Sequence, residues 1–546
     1  MAPRLPVQQL VVSPDKNFLV LAINSHLQLF DRAAGTRLCS TEDAGLNPPG
    51  SNHSGLIRLL LIHQELDAPE KAPLLISTGE DKLLKTWQLP DLKLLHSRQL
   101  IKRATSIAVS PNGKNIVIAD KFGDVYDLPF DAPSQTVFQS DPDQEEAPKS
   151  TADQSSGAKD ADSKVEGEGT KAVARAVAPI AGHVSVLTSL VFIPRQPSPL
   201  LVTADRDEHI RMSRYPQAWS IEGYLLGHRK FVGALLWLPH PTDPEPAQGR
   251  LLSAGGDNAL FVWDHLRGLA TQTIDLSGIA NGLKVCPAKQ AWFSKSRTNK
   301  RRRTNPIEKA EPAPTGSEPP SAPAIDQNNS AGHDQHPAAQ DVHTESALEL
   351  QPIVQKTCVN KIVYTTPSDH AGPGYVLVTS VGSSTIAYIP LPRIFDTNQA
   401  TEAGQITRYL DLGLPVLDLA VLSPGLVLVS LDSSFPSDSS SPSSSFRTLS
   451  LTPDKIKEVS DPEGFNLAFL NESGSIESSS ELPMPSQELL YPELLLFTKD
   501  SPGTSALDNK PHGRDVGTGG RSGKKGEGRL VSQARCEIVL AKAAIS

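Results

Sequence analysis

Residues 227–268 read GHRKFVGALLWLPHPTDPEPAQGRLLSAGGDNALFVWDHLRG. This stretch holds two apolar runs, at 231–238 and 250–254, and a third run that ends at Trp263. A polar loop separates the first two runs, and a tight Gly-Gly-Asp-Asn turn separates the second from the third. Short runs of β-branched and aliphatic residues between such turns predict antiparallel strands. The stretch therefore predicts one small antiparallel sheet.

The same pattern recurs along the chain. The Gly-His pair that ends at His228 has a counterpart that ends at His183, 45 positions earlier. Six positions separate Asp257 from Trp263, and six also separate Asp81 from Trp87. Self-similarity at about 40–45 residues is typical of WD repeats, each of which forms one four-stranded blade. The chain is therefore predicted to be an all-β WD-repeat β-propeller, and the spacing of its turns indicates seven blades.

The predicted propeller occupies residues 1–499, and a mostly flexible tail follows at 500–546. The sequence does not fix how the ring closes, although the N-terminal run at 7–12 is a candidate partner for strands near the C-terminal end. The seven blades are expected at about 7–46, 55–98, 104–130, 184–218, 228–270, 271–392 and 405–498.

Three polar stretches interrupt the repeats, at about 131–176, 294–349 and 433–445. They contain almost no large apolar side chains, so ordering them would cost conformational entropy with no burial to offset it. We expect them to be disordered insertions in the propeller.

Composition excludes several classes of protein. The chain has 52 Lys and Arg against 61 Asp and Glu, a net charge of −9, which argues against a surface that grips nucleic acid throughout. The four cysteines are far apart and lack the CxxC spacing of a zinc site. No apolar run reaches membrane length, and the first residues do not resemble a secretory signal. The sequence predicts a soluble intracellular protein.

Motifs for cofactors are missing as well. The glycine-rich stretch at 518–525 resembles a phosphate-binding loop, but Thr518 stands where glycine is needed and Lys525 where Ser or Thr should be. No strand is followed by a glycine-rich turn and a helix that could hold S-adenosylmethionine or a dinucleotide. The sequence predicts no catalytic site, no cofactor and no metal.

Polar residues recur at fixed places in the repeats. A buried imidazole needs partners for both ring nitrogens, and we expect His228, Ser253, Asp257 and Trp263 to form one hydrogen-bonded chain inside a blade. A hydrolase triad is the alternative, but the recurrence at blade spacing and the lack of a Gly-x-Ser-x-Gly turn favour the structural role. The corresponding residues of other blades are His183, Asp207, Asp81 and Trp87.

The segment at 203–213 reads TADRDEHIRMS and carries unusually many charges for a blade. It could be a solvated turn whose salt bridges contribute little. It could equally be a charged docking edge, where Arg211 would meet a carboxylate of a partner. The bare residues leave both interpretations open. The candidate docking residues are Arg211, Asp205, Arg206 and Lys230.

A basic run at 295–303 lies within the second insertion. A nuclear import signal is favoured over a structured RNA site because no aromatic side chains are interleaved for base stacking. A merely solvated loop remains open. The residues assigned to the signal are Lys300, Arg301, Arg302 and Arg303.

Several strings are specific to one family: ADKFGDVY at 119–126, GHVS at 182–185, the segment at 203–213, and GYLLGHRKFV at 223–232. Together they resemble the non-catalytic WD-repeat subunit of eukaryotic, especially fungal, tRNA (guanine-N(7)-)-methyltransferase. The resemblance is strong from about 74 to 268 and faint beyond.

The resemblance implies a nuclear heterodimer. A separate catalytic subunit would bind S-adenosylmethionine, make most of the contacts with tRNA and methylate a guanine, while the propeller holds that subunit in its active conformation. In the family, a basic residue at the position of Arg211 pairs with an acidic residue of the catalytic subunit, which favours the docking interpretation. The resemblance implies no role for the insertions.

A generic WD scaffold is the alternative, either a ubiquitin-ligase receptor or an adaptor in a chromatin complex. Receptors of the cullin type usually carry Trp-Asp-x-Arg at the end of a blade. Here the sequence after Trp263 is Asp-His-Leu, without the arginine. This weakens the receptor interpretation and leaves the adaptor open.

Overall fold

Seven four-stranded antiparallel sheets make up the folded part of the chain. They are seen in a computed structural model that describes residues 4–43, 45–65, 68, 70–131, 137–138, 176–241, 243, 245, 248–285, 357–366, 374–395, 407–435, 445–452, 455–459, 465, 467–473 and 483–492. The predicted insertion at 294–349 and the tail at 500–546 lie outside these residues, as do most of 131–176 and the serine tract at 436–444.

Each sheet is one blade, and each of the first three blades starts with its innermost strand. Blade 1 contains β1 (Val7–Val12), β2 (Phe18–Ile23), β3 (His26–Asp31) and β4 (Thr36–Ser40). Blade 2 contains β5 (Ile57–His63), β6 (Leu74–Gly79), β7 (Leu83–Gln88) and β8 (Lys93–Gln99). Blade 3 contains β9 (Ala104–Val109), β10 (Asn115–Asp120), β11 (Asp124–Pro129) and β14 (Ala181–Gly182). Its fourth strand therefore comes from beyond the first insertion, where β12 (Val137–Phe138) pairs in parallel with β13 (Ala176–Val177).

The other four blades follow the same order. Blade 4 contains β15 (Leu187–Ile193), β16 (Leu200–Asp205), β17 (Ile210–Arg214) and β18 (Ile221–Leu225). Blade 5 contains β19 (Val232–Leu238), β20 (Arg250–Gly255), β21 (Ala259–Asp264) and β22 (Leu269–Asp275). Blade 6 contains β23 (Val359–Tyr364), β24 (Tyr375–Ser380), β25 (Thr385–Pro390) and β26 (Arg408–Asp411). Blade 7 contains β27 (Val416–Ser423), β28 (Leu426–Leu431), β29 (Phe446–Leu451) and β30 (Ile456–Val459).

Helices are few and short in the described residues. They are a 3₁₀ helix (Ser277–Gly282), α1 (Pro392–Phe395), α2 (Leu467–Ser473) and α3 (Gln487–Leu490). No helix in the described part of the chain is long and apolar enough to cross a bilayer.

The hydrophobic core is divided among the seams between blades. Six clusters of buried aliphatic and aromatic residues each join one blade to the next along the chain. A seventh cluster joins blade 7 to blade 1, with Leu428 and Phe446 packed against Leu10 and Leu21. Because every blade contacts two neighbours, the sheets form a closed ring. The prediction of a seven-bladed WD-repeat propeller is confirmed.

Two expectations about the last blades are wrong. Blade 6 begins at β23 and takes β26 as its outer strand, so the predicted boundary between 392 and 405 falls inside that blade. Blade 7 ends at β30, well before 498. The boundaries were predicted from the regular spacing of turns. That spacing is lost here because an insertion precedes β23 and because the outer strand β26 is short.

The N-terminal run is not a partner of the strands near the C-terminal end. Strand β1 pairs with β2 inside blade 1, and blade 7 obtains all four strands from one stretch of chain. No place remains in blade 7 for an N-terminal strand. Side chains close the ring instead: the buried Asp418 carboxylate of β27 accepts a hydrogen bond from the backbone N–H of Leu10, at 2.7 Å.

Candidate functional site

One face of the ring carries the residues that the sequence analysis singled out. The first strands of the blades contact one another around the centre of the ring. In an antiparallel blade, the turn between the second and third strands lies at the same end as the connection entering the first strand. The backbone bonds from Glu80 to Leu56 and from Gly256 to Phe231 join these two features in blades 2 and 5. We call this side the upper face.

Blade 5 contains the predicted hydrogen-bonded chain in full. Ring nitrogen Nδ1 of His228 lies 2.6 Å from the Asp257 carboxylate, and Nε2 lies 2.7 Å from the hydroxyl of Ser253. The indole N–H of Trp263 donates to the same hydroxyl at 2.8 Å. Ser253 and Trp263 are completely buried. The imidazole, hydroxyl and indole groups of this hydrogen-bonded chain are thus all engaged, and the serine is not available as a nucleophile.

Blade 2 has an equivalent chain that includes one residue missed by the prediction. His53 contacts Asp81 through Nδ1 at 2.9 Å and Ser77 through Nε2 at 2.8 Å, and the Trp87 indole donates to Ser77. His53 follows Asn52 where other blades have glycine, so the Gly-His pattern does not find it. Its distance from the strand hydroxyl could have revealed it, since 24 positions separate His53 from Ser77 and 25 separate the corresponding residues of blade 5.

Blade 4 departs from this arrangement. His183 contacts Thr203 through Nε2 at 2.8 Å, but its Nδ1 lies 3.2 Å from the carboxylate of Asp205. The assignment of Asp207 as the partner of His183 is therefore wrong. Asp205 is the last residue of β16, where blades 2 and 5 have glycine, and its second oxygen accepts the backbone N–H groups of Asp207 and His209. A carboxylate at the end of β16 can contact the imidazole directly, so Asp205 takes the place that an aspartate of the following turn has in blades 2 and 5.

The buried environment keeps His183 neutral. Burial lowers the pKa of its imidazole below the ordinary value, and the nearby Arg211 guanidinium lowers it further. The neutral ring can donate through Nδ1 to Asp205 and accept at Nε2 from the Thr203 hydroxyl. This is the same structural use of histidine as in blades 2 and 5.

Arg211 does not lie on an exposed edge, contrary to expectation. It is 6% exposed, and its guanidinium donates to the carbonyl of Gly182 at 2.8 Å. Lys85 occupies the same position of blade 2 and donates to the carbonyls of Ser51 and Asn52. In both blades a buried cation therefore donates a hydrogen bond to the backbone carbonyl of the residue before the blade histidine. Burial lowers the pKa of Arg211, although an arginine remains charged at any physiological pH.

The other candidate docking residues are divided between interior and surface. Asp205 is 4% exposed and belongs to the histidine chain described above. Arg206 and Lys230 are half-buried on the upper face, in the turn after β16 and in the connection that enters β19. The structure thus brings Asp205 and Arg211 together below the surface and leaves Arg206 and Lys230 near solvent.

Large apolar side chains are exposed around Arg211. Val184 is fully exposed, Leu226 is 67% exposed, and Phe122 and Tyr224 are each more than 40% exposed. Large apolar side chains are exposed to this extent only where no other part of the fold packs over them. We call these four residues the blade 3–4 rim.

Backbone and strand contacts bring the rim residues into one region of the upper face. The backbone N–H of His183, next to Val184, donates to the carbonyl of Gly123, next to Phe122. Gly123 has φ of +106°, and a Cβ atom there would lie 2.3 Å from the His183 carbonyl oxygen, so this close approach requires glycine. Leu226 follows β18 directly, and the Tyr224 ring makes an edge-on contact with the His209 ring at 6.4 Å.

The basic run assigned to nuclear import, including Lys300 to Arg303, lies outside the described residues. In the described part of the chain, no group of His, Cys, Asp or Glu side chains could hold a metal ion.

Comparison with known proteins gives a consistent result. Residues 60–450, well over half of the chain, match the family model described as the tRNA methyltransferase TRM82 WD40 domain. A tRNA (guanine-N(7)-)-methyltransferase non-catalytic subunit of Coccidioides immitis is 37% identical over 236 residues, which are 38% of this chain and 44% of that protein. The protein of the same name from Aspergillus oryzae is 36% identical over 220 residues, 36% of this chain and 43% of that protein.

A more distant relative extends the comparison beyond the fungi. The tRNA (guanine-N(7)-)-methyltransferase non-catalytic subunit of Dictyostelium discoideum is 26% identical over 281 residues, half of each chain. The chain thus spans half or less of the length of these curated relatives. The family model begins inside β5 and ends inside β29, so it covers most of blade 2, blades 3 to 6, most of blade 7 and the whole blade 3–4 rim. The chain belongs to the family of the tRNA methyltransferase TRM82 WD40 domain.

Proposed function

We propose that this chain is the non-catalytic subunit of a tRNA (guanine-N(7)-)-methyltransferase and that it binds and stabilises the catalytic subunit. The names of its curated relatives support this role. The histidine chains of blades 2, 4 and 5 account for the hydroxyl, carboxylate and imidazole groups that would otherwise suggest hydrolysis. The catalytic partner supplies the S-adenosylmethionine site and most of the contacts with tRNA.

The blade 3–4 rim is the observation that carries the proposal. Several exposed apolar side chains in one region of a fold are typical of a protein-binding surface. Cations occur beside it: Lys102 lies 4.0 Å from the Phe122 ring, and the exposed Arg229 and half-buried Lys230 follow Leu226 closely in the chain. This combination favours a partner surface that is apolar at its centre and acidic at its edge.

Arg211 contributes from below the surface. Its bond to Gly182 holds the backbone directly before His183 and Val184, so it positions the centre of the rim. Its Nε atom is buried without a hydrogen-bond acceptor among the described residues. A buried donor without an acceptor is destabilising by about 1–3 kcal/mol. A carboxylate of the partner could reach this buried nitrogen, and make the pairing that the family resemblance implies, only if the loop at 182–184 moved on binding.

Variants of the rim test the proposal. The full chain and its catalytic subunit are co-expressed, the affinity of the complex is measured by calorimetry, and methyl transfer to tRNA is measured for each subunit and for the complex. Val184→Glu and Leu226→Glu should each weaken binding by about tenfold or more, because they place an unpaired charge in a desolvated contact. Methyl transfer should require both subunits.

Leu266→Glu is the matched control. Leu266 is 60% exposed and lies in the turn between β21 and β22, on the opposite face of the ring. This variant should bind the catalytic subunit as the parent does. The proposal is wrong if the rim variants also bind as the parent does, or if purification from native cells recovers a ubiquitin-ligase adaptor or a chromatin complex in place of a methyltransferase.

We further propose that the complex acts in the nucleus and that the basic run at 295–303 directs import. The run connects blade 5 to blade 6 and contains six cations in nine positions. Replacing Lys300, Arg301, Arg302 and Arg303 by alanine should move a fluorescent fusion of the full chain to the cytoplasm. An unchanged nuclear signal would refute this assignment.

A further inference from the structure

A channel runs through the centre of the ring, between the first strands of the blades. Its cavity has a volume of about 340 Å³ and is lined by polar side chains that include Arg58, Arg103, Lys361 and Asp418. Lys361 pairs with Asp418 across the seam between blades 6 and 7, and Arg58 and Arg103 both donate to Glu80. Pro492, which belongs to none of the blades, also lines this cavity.

Residues 483–492 lie across the upper mouth of this channel. Tyr491 is 3% exposed and packs in one cluster with Phe231, Val285, Cys358 and Val381. All four of these contacts come from connections and turns of blades 5 and 6 on the upper face. Tyr491 thus fills a pocket that blades 5 and 6 build but do not fill themselves.

Blade 7 supplies a polar end to this pocket. The Tyr491 hydroxyl donates to the carboxylate of Asp432 at 2.5 Å. Asp432 directly follows β28, is 1% exposed, and accepts a backbone bond from Ser434 with its other oxygen. Burial and the carboxylate both raise the pKa of Tyr491, so the phenol remains a donor at every physiological pH. The pocket therefore recognises both the ring and the hydroxyl of a tyrosine.

We propose that the upper mouth of the channel is a binding site for a tyrosine-centred peptide, and that the segment Leu-Leu-Tyr-Pro at 489–492 of this chain is its ligand, bound reversibly. Among the residues that the structure describes, two hydrogen bonds join 483–492 to the blades: one from Tyr491 to Asp432, and a long one from Asn24 to the Pro483 carbonyl. Neither belongs to a blade ladder. The segment can therefore leave without breaking a sheet, and its departure opens the channel.

Reactivity of Cys358 reports whether the segment is bound. This thiol is 1% exposed and packs in the same cluster as Tyr491. The full chain with Cys39, Cys286 and Cys536 replaced by serine has Cys358 as its single thiol. Tyr491→Phe should raise the rate of labelling by a maleimide about tenfold to a hundredfold, because a hydrogen bond to a charged group is lost while the ring is kept. Tyr491→Ala should raise it further.

Tyr375→Phe is the matched control. Tyr375 is also a buried tyrosine, and its hydroxyl donates to the Thr452 carbonyl at 2.7 Å, away from the channel mouth. This variant should leave the labelling rate unchanged. The circular dichroism spectrum and the melting temperature show whether each variant keeps the fold. A folded Tyr491→Ala variant that is labelled as slowly as the parent would overturn the proposal.

Binding in trans gives a second, independent measurement. A fluorescent peptide of residues 483–492 is titrated against the full-chain Tyr491→Ala variant and against the parent. The peptide should bind the variant saturably, restore the slow labelling of Cys358, and bind the parent much more weakly. The same peptide with alanine for tyrosine should not bind. Equal binding to parent and variant, or no binding to the variant, would each refute an exchangeable site.

Discussion

Asp205 and Asp207 provide a direct test of how blade 4 is held together. The two aspartates lie two positions apart, but only Asp205 contacts His183, and it also accepts the backbone N–H groups of Asp207 and His209. Asp205→Ala leaves three donors without this acceptor, at a site where the native side chain is 4% exposed. One or two donors that stay buried would destabilise the fold by about 1–3 kcal/mol each, so we expect a loss of about 2–5 kcal/mol.

Asp207→Ala is the control for this loss. The Asp207 side chain is 34% exposed, and one of its oxygens lies 3.9 Å from the Arg206 guanidinium. Exposed contacts of this kind contribute about 0–1 kcal/mol. Urea unfolding followed by tryptophan fluorescence measures both free energies of unfolding. If Asp207→Ala is the more destabilising of the two, or if Asp205→Ala unfolds as the parent does, the assignment of Asp205 as the histidine partner is wrong.

Two further predictions follow from the same region. Burial lowers the pKa of His183, so the unfolded chain binds a proton at this residue at a higher pH than the folded chain does. The free energy of unfolding should therefore fall as the pH decreases below about 6.5. His183→Gln should reduce that slope in urea titrations between about pH 7 and 5, and an unchanged slope would contradict the reasoning. Gly123→Ala should destabilise the fold by about 2 kcal/mol or more in thermal unfolding, because its φ is +106° and its Cβ would meet the His183 carbonyl. Gly268→Ala, also at positive φ but in open space, should have the smaller effect, and equal effects would show that the close approach is unimportant.

The parts of the fold that repeat could be predicted from the sequence. The hydrogen-bonded network of His228, Ser253 and Trp263 was predicted in full, because its residues recur at blade spacing and each needs a buried hydrogen-bond partner. Closure of the ring could not be predicted, since the seam between blades 7 and 1 is formed by side chains such as Phe446 and Leu21 that carry no spacing signal.

The geometry around the candidate site could not be predicted from the sequence. The segment at 203–213 does lie at the surface that we propose for docking, yet its arginine is directed inward. The acceptor for Arg211 is a carbonyl 29 positions away, in a strand that enters blade 3 from beyond an insertion. Periodicity within a blade contains no information about such a contact. The exposed rim residues Val184 and Leu226 were likewise missed, because single apolar residues in loops give no pattern.

The departures of blade 4 from its neighbours are connected through Asp205. In blades 2 and 5 the strand ends in glycine, and the aspartate of the following turn must reach back to the histidine. In blade 4 the strand itself ends in Asp205, which takes over that contact and leaves Asp207 at the surface. The small Ser213 also stands where blades 2 and 5 have tryptophan. Arg211 donates a hydrogen bond to the Gly182 carbonyl, just before the loop that carries Val184. The aspartate at the strand end thus frees the turn after β16 from the contact that it makes in blades 2 and 5, and this turn lies beside the rim that we propose for docking.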